Sequence, residues 1–365
     1  MNKRYKYLRF AKLLEDEIYN SYYPGQLFPS QEVLAERFNC NRATINKAVS
    51  ELAERGLLLQ QGRKGTFVAD FINSGFDPHL IAVVMPLRSH LWDRLFLEIS
   101  CICSDNNYFT LAVDTSAAAL KQSGAETEMF KRLQHLLRFR PRNVVVSTEM
   151  NIDSFLEKLG DDRRKFRNLI WLHDQDISAC SDRSVGQVGM DMRATWRLIA
   201  QNALRSGYQE ICLFVQNISF MTDALKAAVK EVLTEAGISN INVQCFNEDD
   251  RQHSLNALVN LAQTSESLAI ICTNDHGAHL ASGALRAADL SIPYKVGIYG
   301  VNNTPWSEQD NLTTIGFDHQ YWSRQIIECI TQLETDNNHC KIMIPPLFIQ
   351  RASTRPYLHT LNEHK

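Results

Sequence analysis

Apolar side chains recur at three- and four-residue spacings from the start of the chain. Tyr7, Phe10, Leu14, Ile18 and Tyr22, with Ala11 beside them, predict a helix over residues 3–21. Pro24-Gly25 breaks it. Ser30, behind Pro29, suits the N-cap of a short helix over 31–38 with Val33, Leu34 and Phe38 turned inward. Asn39-Cys40-Asn41 is a turn. The next helix, 42–55, has an inward stripe of Ile45, Ala48, Val49 and Leu52 and Gly56 at its end. Residues 57–61 are strand-like, Gly62-Arg63-Lys64-Gly65 is a turn, and 66–68 are strand-like again. This order is the winged helix-turn-helix plan, with the second and third helices as the reading unit and the basic-tipped hairpin as the wing.

After residue 79 the pattern changes. Short apolar strands, at 80–85, 109–113, 143–146, 168–172, 210–215, 242–245, 268–272 and 295–299, alternate with helices such as 92–105, 125–138, 192–206, 220–236 and 277–289. Such alternation means parallel sheets with right-handed crossovers, an α/β class. The segment is too long for one five- or six-stranded unit. Two Rossmann-like lobes fit, with a ligand cleft between them at the carboxyl ends of the strands. The expected division is a head over 1–69, a linker over 70–79 and a two-lobed body over 80–365.

Composition narrows the class. In 365 residues, 44% hydrophobic and 22% charged is ordinary for a soluble globular chain. No apolar run suits a membrane span, and the basic N-terminus lacks the apolar core of a secretory signal, so a cytoplasmic protein is expected. Nine cysteines without a Cys-x-x-Cys predict reduced thiols, and neither a metal nor a cofactor is expected. The net charge of −3 is uneven: residues 1–70 hold 11 Lys/Arg and 8 Asp/Glu, while the rest holds 27 and 33. A basic end on an acidic body permits a nucleic-acid-binding head.

The first 70 residues resemble the GntR-family DNA-binding domain. The matching string is Pro24-Gly25, Leu27, Pro29-Ser30, Leu34-Ala35, Arg42, Thr44-Ile45, Ala48, Leu52, Gly56-Leu57 and Gly65-Thr66-Phe67-Val68. Residues 80–356 resemble the LacI/GalR-type effector domain, which shares its fold with periplasmic sugar-binding proteins. That likeness rests on Asp191, Ser206-Gly207-Tyr208, Asn274-Asp275, Ile292-Pro293, Val296-Gly297, Gly300, Leu312-Thr313-Thr314-Ile315, Pro346, Arg351 and Ser353-Thr354. Together they resemble hybrid repressors of the arabinose-repressor type. The resemblance implies a dimeric transcription factor, most often a repressor, under the control of a small ligand.

On the third helix, Arg42, Ala43, Asn46, Lys47 and Ser50 lie opposite the apolar stripe. Arg can donate two bonds to guanine, and Asn can pair with adenine. The resemblance assigns DNA contacts to Asn41, Arg42, Ala43, Thr44 and Asn46. Arg42 is the first candidate for base reading, while Thr44 and Lys47 suit phosphate contacts. Ser30 and the wing residues Arg63, Lys64 and Gly65 complete the candidate DNA surface. The chain departs from the family at Glu32, where an Arg is usual, and at Asn46, where Arg is common. Glu32 allows two readings: an acid favoured by the helix dipole, or an altered operator.

In the body, polar groups after strands should converge on the cleft. Arg88, His90 and Trp92 follow the first strand. His173-Asp174, Gln216, Asn274-Asp275, Asn302-Asn303 and Phe317-Asp318 follow later ones. Planar amides and carboxylates suit sugar hydroxyls, and aromatic faces such as Trp92, Phe220 and Trp306 suit sugar C–H surfaces. The resemblance marks Asn274-Asp275 and the loop at Asn302 as hydroxyl binders. The expected effector is therefore a sugar. Two departures oppose the familiar clamp: Asn302 is an amide where an acid is usual, and the family's Arg is missing near Leu225. A non-sugar effector and a ligand-independent dimerisation body both remain open. Enzyme classes lack support, because no Gly-x-Ser-x-Gly, His-Glu-x-x-His, Walker A or Gly-x-Gly-x-x-Gly occurs. The expected partners are double-stranded DNA, a small effector and a second copy of the chain.

Overall fold

A computed structural model describes residues 3–22, 25–54, 57–69, 77–116, 125–148, 150–174, 177, 180, 182–216, 219–237, 242–246, 250–335 and 340–356. The head begins with α1 (Lys3–Ser21), β1 (Leu27–Phe28), α2 (Gln31–Arg37) and α3 (Arg42–Glu54), followed by β2 (Leu58–Gln60) and β3 (Thr66–Val68). Ala11, Leu14, Ile18, Leu34, Ile45, Ala48 and Leu52 are fully buried in one core. Each such Leu or Ile contributes on the order of 2 kcal/mol by leaving water. Val33 departs from expectation: it is 53% exposed, because α2 is only two turns long and Leu34 alone fills its core position. Phe38 is half-buried and meets Phe10 at 5.4 Å between ring centres. Glu17 of α1 accepts two hydrogen bonds from Arg37, at 2.8 and 2.5 Å, and so ties α1 to α2. The wing sheet has the order β1-β3-β2. β1 is too short to leave a periodic signal in the sequence, and β3 supplies its hydrogen-bonding partner.

The body begins with β4 (Asp77–Met85), three residues inside the segment expected to be linker; residues 70–76 lie outside the described residues. Then come α4 (His90–Asp105), β5 (Phe109–Asp114), α5 (Ala125–Leu137), β6 (Pro141–Val146), α6 (Ile152–Leu159), β7 (Asn168–Trp171) and β8 (Val185–Met190). The chain continues through α7 (Met192–Arg205), β9 (Glu210–Gln216), α8 (Ser219–Glu235), β10 (Asn242–Phe246), α9 (Arg251–Thr264), β11 (Leu268–Cys272) and α10 (Asp275–Ala287). It ends with β12 (Val296–Val301), α11 (Pro305–Gln309), β13 (Thr313–Gly316), α12 (His319–Thr335), β14 (Lys341–Ile344) and β15 (Leu347–Ile349).

Two six-stranded sheets result. The first lobe has the order β14-β8-β7-β6-β4-β5, all parallel. The second has the order β10-β9-β11-β12-β13-β15, parallel except for β15. Helices cover both faces, so the inner strands are built on apolar runs such as Val144–Val146 and Ile270–Cys272, with buried Asn143, Asn168 and Gln187 as polar exceptions. The chain passes between lobes at three places: after Met190, after Gly316 and after Ile344. The first and third passages lie side by side, with Asp191 N donating to Ile344 O at 2.9 Å.

β8 was not evident in the sequence because two glycines interrupt it. Gly189 is required there: a side chain would strike the backbone carbonyl of His173. β14 and β15 are short, and α12 belongs to the first lobe although it follows a second-lobe strand. Such non-local membership leaves no local pattern.

Candidate functional site

Two surfaces carry the candidate chemistry. In the head, Ser30 Oγ accepts from Val33 N at 3.3 Å and caps α2. Asn41 Oδ1 accepts from Ala43 N at 2.8 Å at the start of α3. Both side chains therefore fix helix starts. Arg42, Ala43, Asn46 and Lys47 are exposed on α3, and Thr44 is half-buried. The wing turn closes through Gln61 N to Gly65 O at 2.9 Å, with Gly65 at φ 110°, a backbone region that favours glycine. Lys64 is exposed there; the side chain of Arg63 lies outside the described residues.

Glu32 and Arg42 form a contact the sequence did not resolve. Arg42 Nη1 donates to Glu32 Oε1 at 2.5 Å, joining the first turns of α2 and α3. The pair is solvent-exposed, so its contribution to stability is small. Its geometric consequence is that one guanidinium nitrogen is held on the acid while the remaining donors stay available.

In the body, the carboxyl ends of the first-lobe strands present Arg88, His90 and Trp92. Arg88 Nε donates to Asp114 Oδ2 at 3.0 Å, and Arg88 N donates to Ser116 Oγ at 2.8 Å. Asp114 also accepts from Leu87 N and Ser116 N. Burial works against ionisation of Asp114, but hydrogen bonds from Ser116 and Arg88 hold its carboxyl below the usual range. Asp114 and Ser116 were missed as site residues; the rule that polar groups follow strands, applied to β5, picks them out. His90 is exposed at the start of α4.

Trp92 is half-buried and meets Trp322 at a tilt of 59°, 5.7 Å between ring centres; Phe317 meets Trp322 edge-on at 6.2 Å. Phe317 is only 4% exposed, so it is chiefly a core side chain. His319 lies parallel to Trp322, and burial, helped by the Arg94 cation, pushes it below the ordinary histidine range. These aromatic groups join α4 to the passage after β13. His173 Nδ1 sits 2.9 Å from Asp174 Oδ1 at the end of β7.

The second-lobe candidates are turned to internal duties. Asn274 Oδ1 accepts from Gly277 N at 2.8 Å and caps α10. Asp275 is fully buried and accepts from Thr304 N at 2.6 Å, Thr304 Oγ1 at 3.0 Å and Thr314 Oγ1 at 2.6 Å. Burial pushes its carboxyl above the usual range, against the hydrogen bonds, which lower it. Gly300 leaves room for that carboxylate, since any side chain there would strike it. Asn302 is half-buried at φ 98°, and Asn303 Oδ1 accepts from Arg351 Nη2 at 2.8 Å. Asp318 is exposed and accepts from Tyr321 N at 2.9 Å. Trp306 packs on His279, 4.5 Å between ring centres, beside the His279–Asp310 contact. The side chains of Gln216 and Phe220 lie outside the described residues.

Among the described residues no group of three or more His, Cys, Asp or Glu is placed to hold a metal, and no helix is long and apolar enough to cross a membrane.

Comparison with known proteins follows this division. Residues 6–68 match bacterial regulatory proteins of the gntR family. Residues 200–354 match the periplasmic binding protein-like domain. A probable fructoselysine utilization operon transcriptional repressor of Escherichia coli is 40% identical over 57 residues, 16% of this chain and 24% of the relative. The chain thus spans about a quarter of the length of the curated relatives it matches. Among solved structures, a LacI family transcriptional regulator from Enterococcus faecium with bound ribose gives a TM-score of 0.59 at 20% identity, over 76% of this chain and 99% of that one. The lac repressor dimer bound to operator and an anti-inducer gives 0.61 at 17% identity, over 78% and 96%. At such identities the likeness concerns the fold. The chain joins a head of the gntR family of bacterial regulatory proteins to a body with the periplasmic-binding-protein-like, LacI-type fold.

Proposed function

We propose that the protein is a sequence-specific DNA-binding transcriptional regulator, a repressor, controlled by a sugar bound between the two lobes of its body. The observation that carries the reading is the exposed face of α3, with Arg42, Asn46 and Lys47 clear of a fully formed core in a gntR-type head. Arg42 reads a guanine, Asn46 reads a neighbouring base, and Lys47, Thr44 and the wing residue Lys64 hold phosphates. For the effector, Arg88, His90, Trp92, His173 and Asp174 face it from the first lobe and Asn302 from the second. Asn274 and Asp275 shape the second-lobe rim rather than touch the ligand.

The chain works as a dimer in this reading. A depression of about 610 Å³ is lined by Ser100, Ser104, Asn107, Tyr108, Thr110 and Phe109, which is 70% accessible, and Leu97, one turn before Ser100 on α4, is 62% accessible. That outer face of the first lobe suits a second copy. Closure of the lobes about the three passages then alters the spacing of two heads, which fit two half-sites only at one separation. The effector must bind one state more tightly, because equal affinity shifts nothing.

A second reading, a body with a non-sugar effector or none, is favoured by the internal use of Asp275. Fluorescence anisotropy on DNA from upstream of the protein's own gene, with a panel of pentoses, hexoses and their phosphates, separates the two. Tight binding changed by one sugar is expected. Tight binding indifferent to every sugar overturns the sugar and leaves the head. Failure to bind that DNA or any sequence selected from a random pool overturns the regulator itself.

A further inference from the structure

We propose that the amino-terminal edge of the first lobe is a second DNA surface, whose arginines lie against the phosphate backbone of the duplex that the head holds. The inference rests on the DNA-binding reading of the head. The six strands of this sheet are parallel, so their starts line one edge. Along it stand Lys341 at β14, Arg183 ahead of β8, Arg164 and Arg167 ahead of β7, and Arg138 and Arg140 ahead of β6. Next comes Asp77, where the chain arrives from the head and where β4 pairs with Pro141.

The charge of this edge opposes that of the body. Residues beyond 70 hold 27 Lys/Arg against 33 Asp/Glu, yet segments 138–142 and 161–167 hold seven Lys/Arg against two acids. Ion pairs neutralise part of it: Arg142 with Glu334 at 2.9 Å, Arg163 with Asp182 at 2.8 Å and Lys165 with Asp162 at 2.7 Å. Arg138 and Arg183 are exposed and make no ion pair among the described residues. The turn after α5 holds Arg138 and Phe139 at its tip through a left-handed Arg140, φ 53°, with Phe139 64% exposed.

Chain length fixes the reach. Eight residue steps separate Ala69, the last described residue of the head, from Asp77. At ~3.6 Å per step they span at most ~29 Å. The end of this edge at Asp77, next to the start of β6, therefore lies within ~29 Å of Ala69. A duplex held on α3 brings dense phosphate charge within that range, and charges within ~8 Å of one another interact at physiological salt.

The test is the salt dependence of binding of the full chain to a mixed-sequence 40-base-pair duplex. The double variant R138Q/R183Q should flatten the slope of log K against log salt by about one for each phosphate that an arginine no longer neutralises. Its thermal unfolding should match the parent, because neither arginine packs in the core. Should the double variant fail to fold, the single variant R138Q carries the same test with a smaller change. An unchanged slope in a folded variant overturns the inference alone; it is also the result expected if the edge serves an acidic protein partner instead. Failure of the unaltered chain to bind any duplex overturns the DNA reading of the head, and this inference with it.

Discussion

Arg42 in the head and Asp275 in the body are both charged side chains beside a helix start, and the fold treats them oppositely. Arg42 is 60% accessible and is paired with Glu32, itself exposed. Asp275 is fully buried and accepts three hydrogen bonds within its own lobe. The head keeps its polar chemistry outside a small apolar core, so its contacts remain for a partner. The second lobe uses its polar chemistry to join α10 to β13 and to the loop after β12.

The contrast can be broken at Asp275. Asp275→Ala leaves Thr304 N and two threonine hydroxyls buried without their acceptor. Loss of ~3 kcal/mol of folding stability is expected, the cost of stranding such groups. Thermal and denaturant unfolding check it. DNA affinity of the surviving folded protein should be nearly unchanged. A stable variant that instead loses response to an effector would make Asp275 a ligand residue and reverse the contrast.

Arg42→Ala is the complementary change. Operator affinity should fall by ~1–3 kcal/mol with relaxed preference at one base, while unfolding is unaltered. Anisotropy on matched and single-substituted duplexes measures both effects. Equal losses on every duplex would assign Arg42 to phosphate rather than base.

These two residues also show what the sequence disclosed. The head was legible because its information is local. The stripe Ile45, Ala48, Val49 and Leu52 and the cap Ser30 sit in one short span, and the structure places them as expected. The body's α/β alternation was equally legible. Its candidate cleft was less so, because residues after β4, β5, β12 and β13 meet only once the sheets assemble. Nothing around Asp275 reveals that Thr304 and Thr314 will enclose it. Trp322 was missed because it lies on α12, which returns to the first lobe, where its Nε1 donates to Val188 O at 3.0 Å.

His319, beside that tryptophan, gives a smaller test of the passage between lobes. Its folded pKa lies below the ordinary ~6.5, so the unfolded chain takes up the proton first as pH falls. Stability should be fully present above ~6.5 and decline as pH drops through the histidine range. Melting temperatures across that interval should therefore fall more steeply for the parent than for H319Q. Identical profiles would mean that His319 is as free to charge in the fold as in the unfolded chain.

The smallest effect expected is at Glu32, and it sharpens the comparison most finely because it concerns the exposed side alone. The Glu32–Arg42 pair lies in water, so E32A should change folding stability by no more than ~0.5 kcal/mol. On DNA the same acid opposes phosphate and holds one nitrogen of Arg42. Its removal should strengthen binding to a mixed-sequence duplex a few-fold, since it deletes a like charge from the DNA face. It should also weaken discrimination among operator bases, since the guanidinium loses its support. The ratio of specific to mixed-sequence affinity, measured at one salt concentration, reads both together. A lower ratio makes Glu32 a determinant of sequence choice. A uniform rise in affinity at constant ratio makes it a helix-start acid with an electrostatic cost and nothing more.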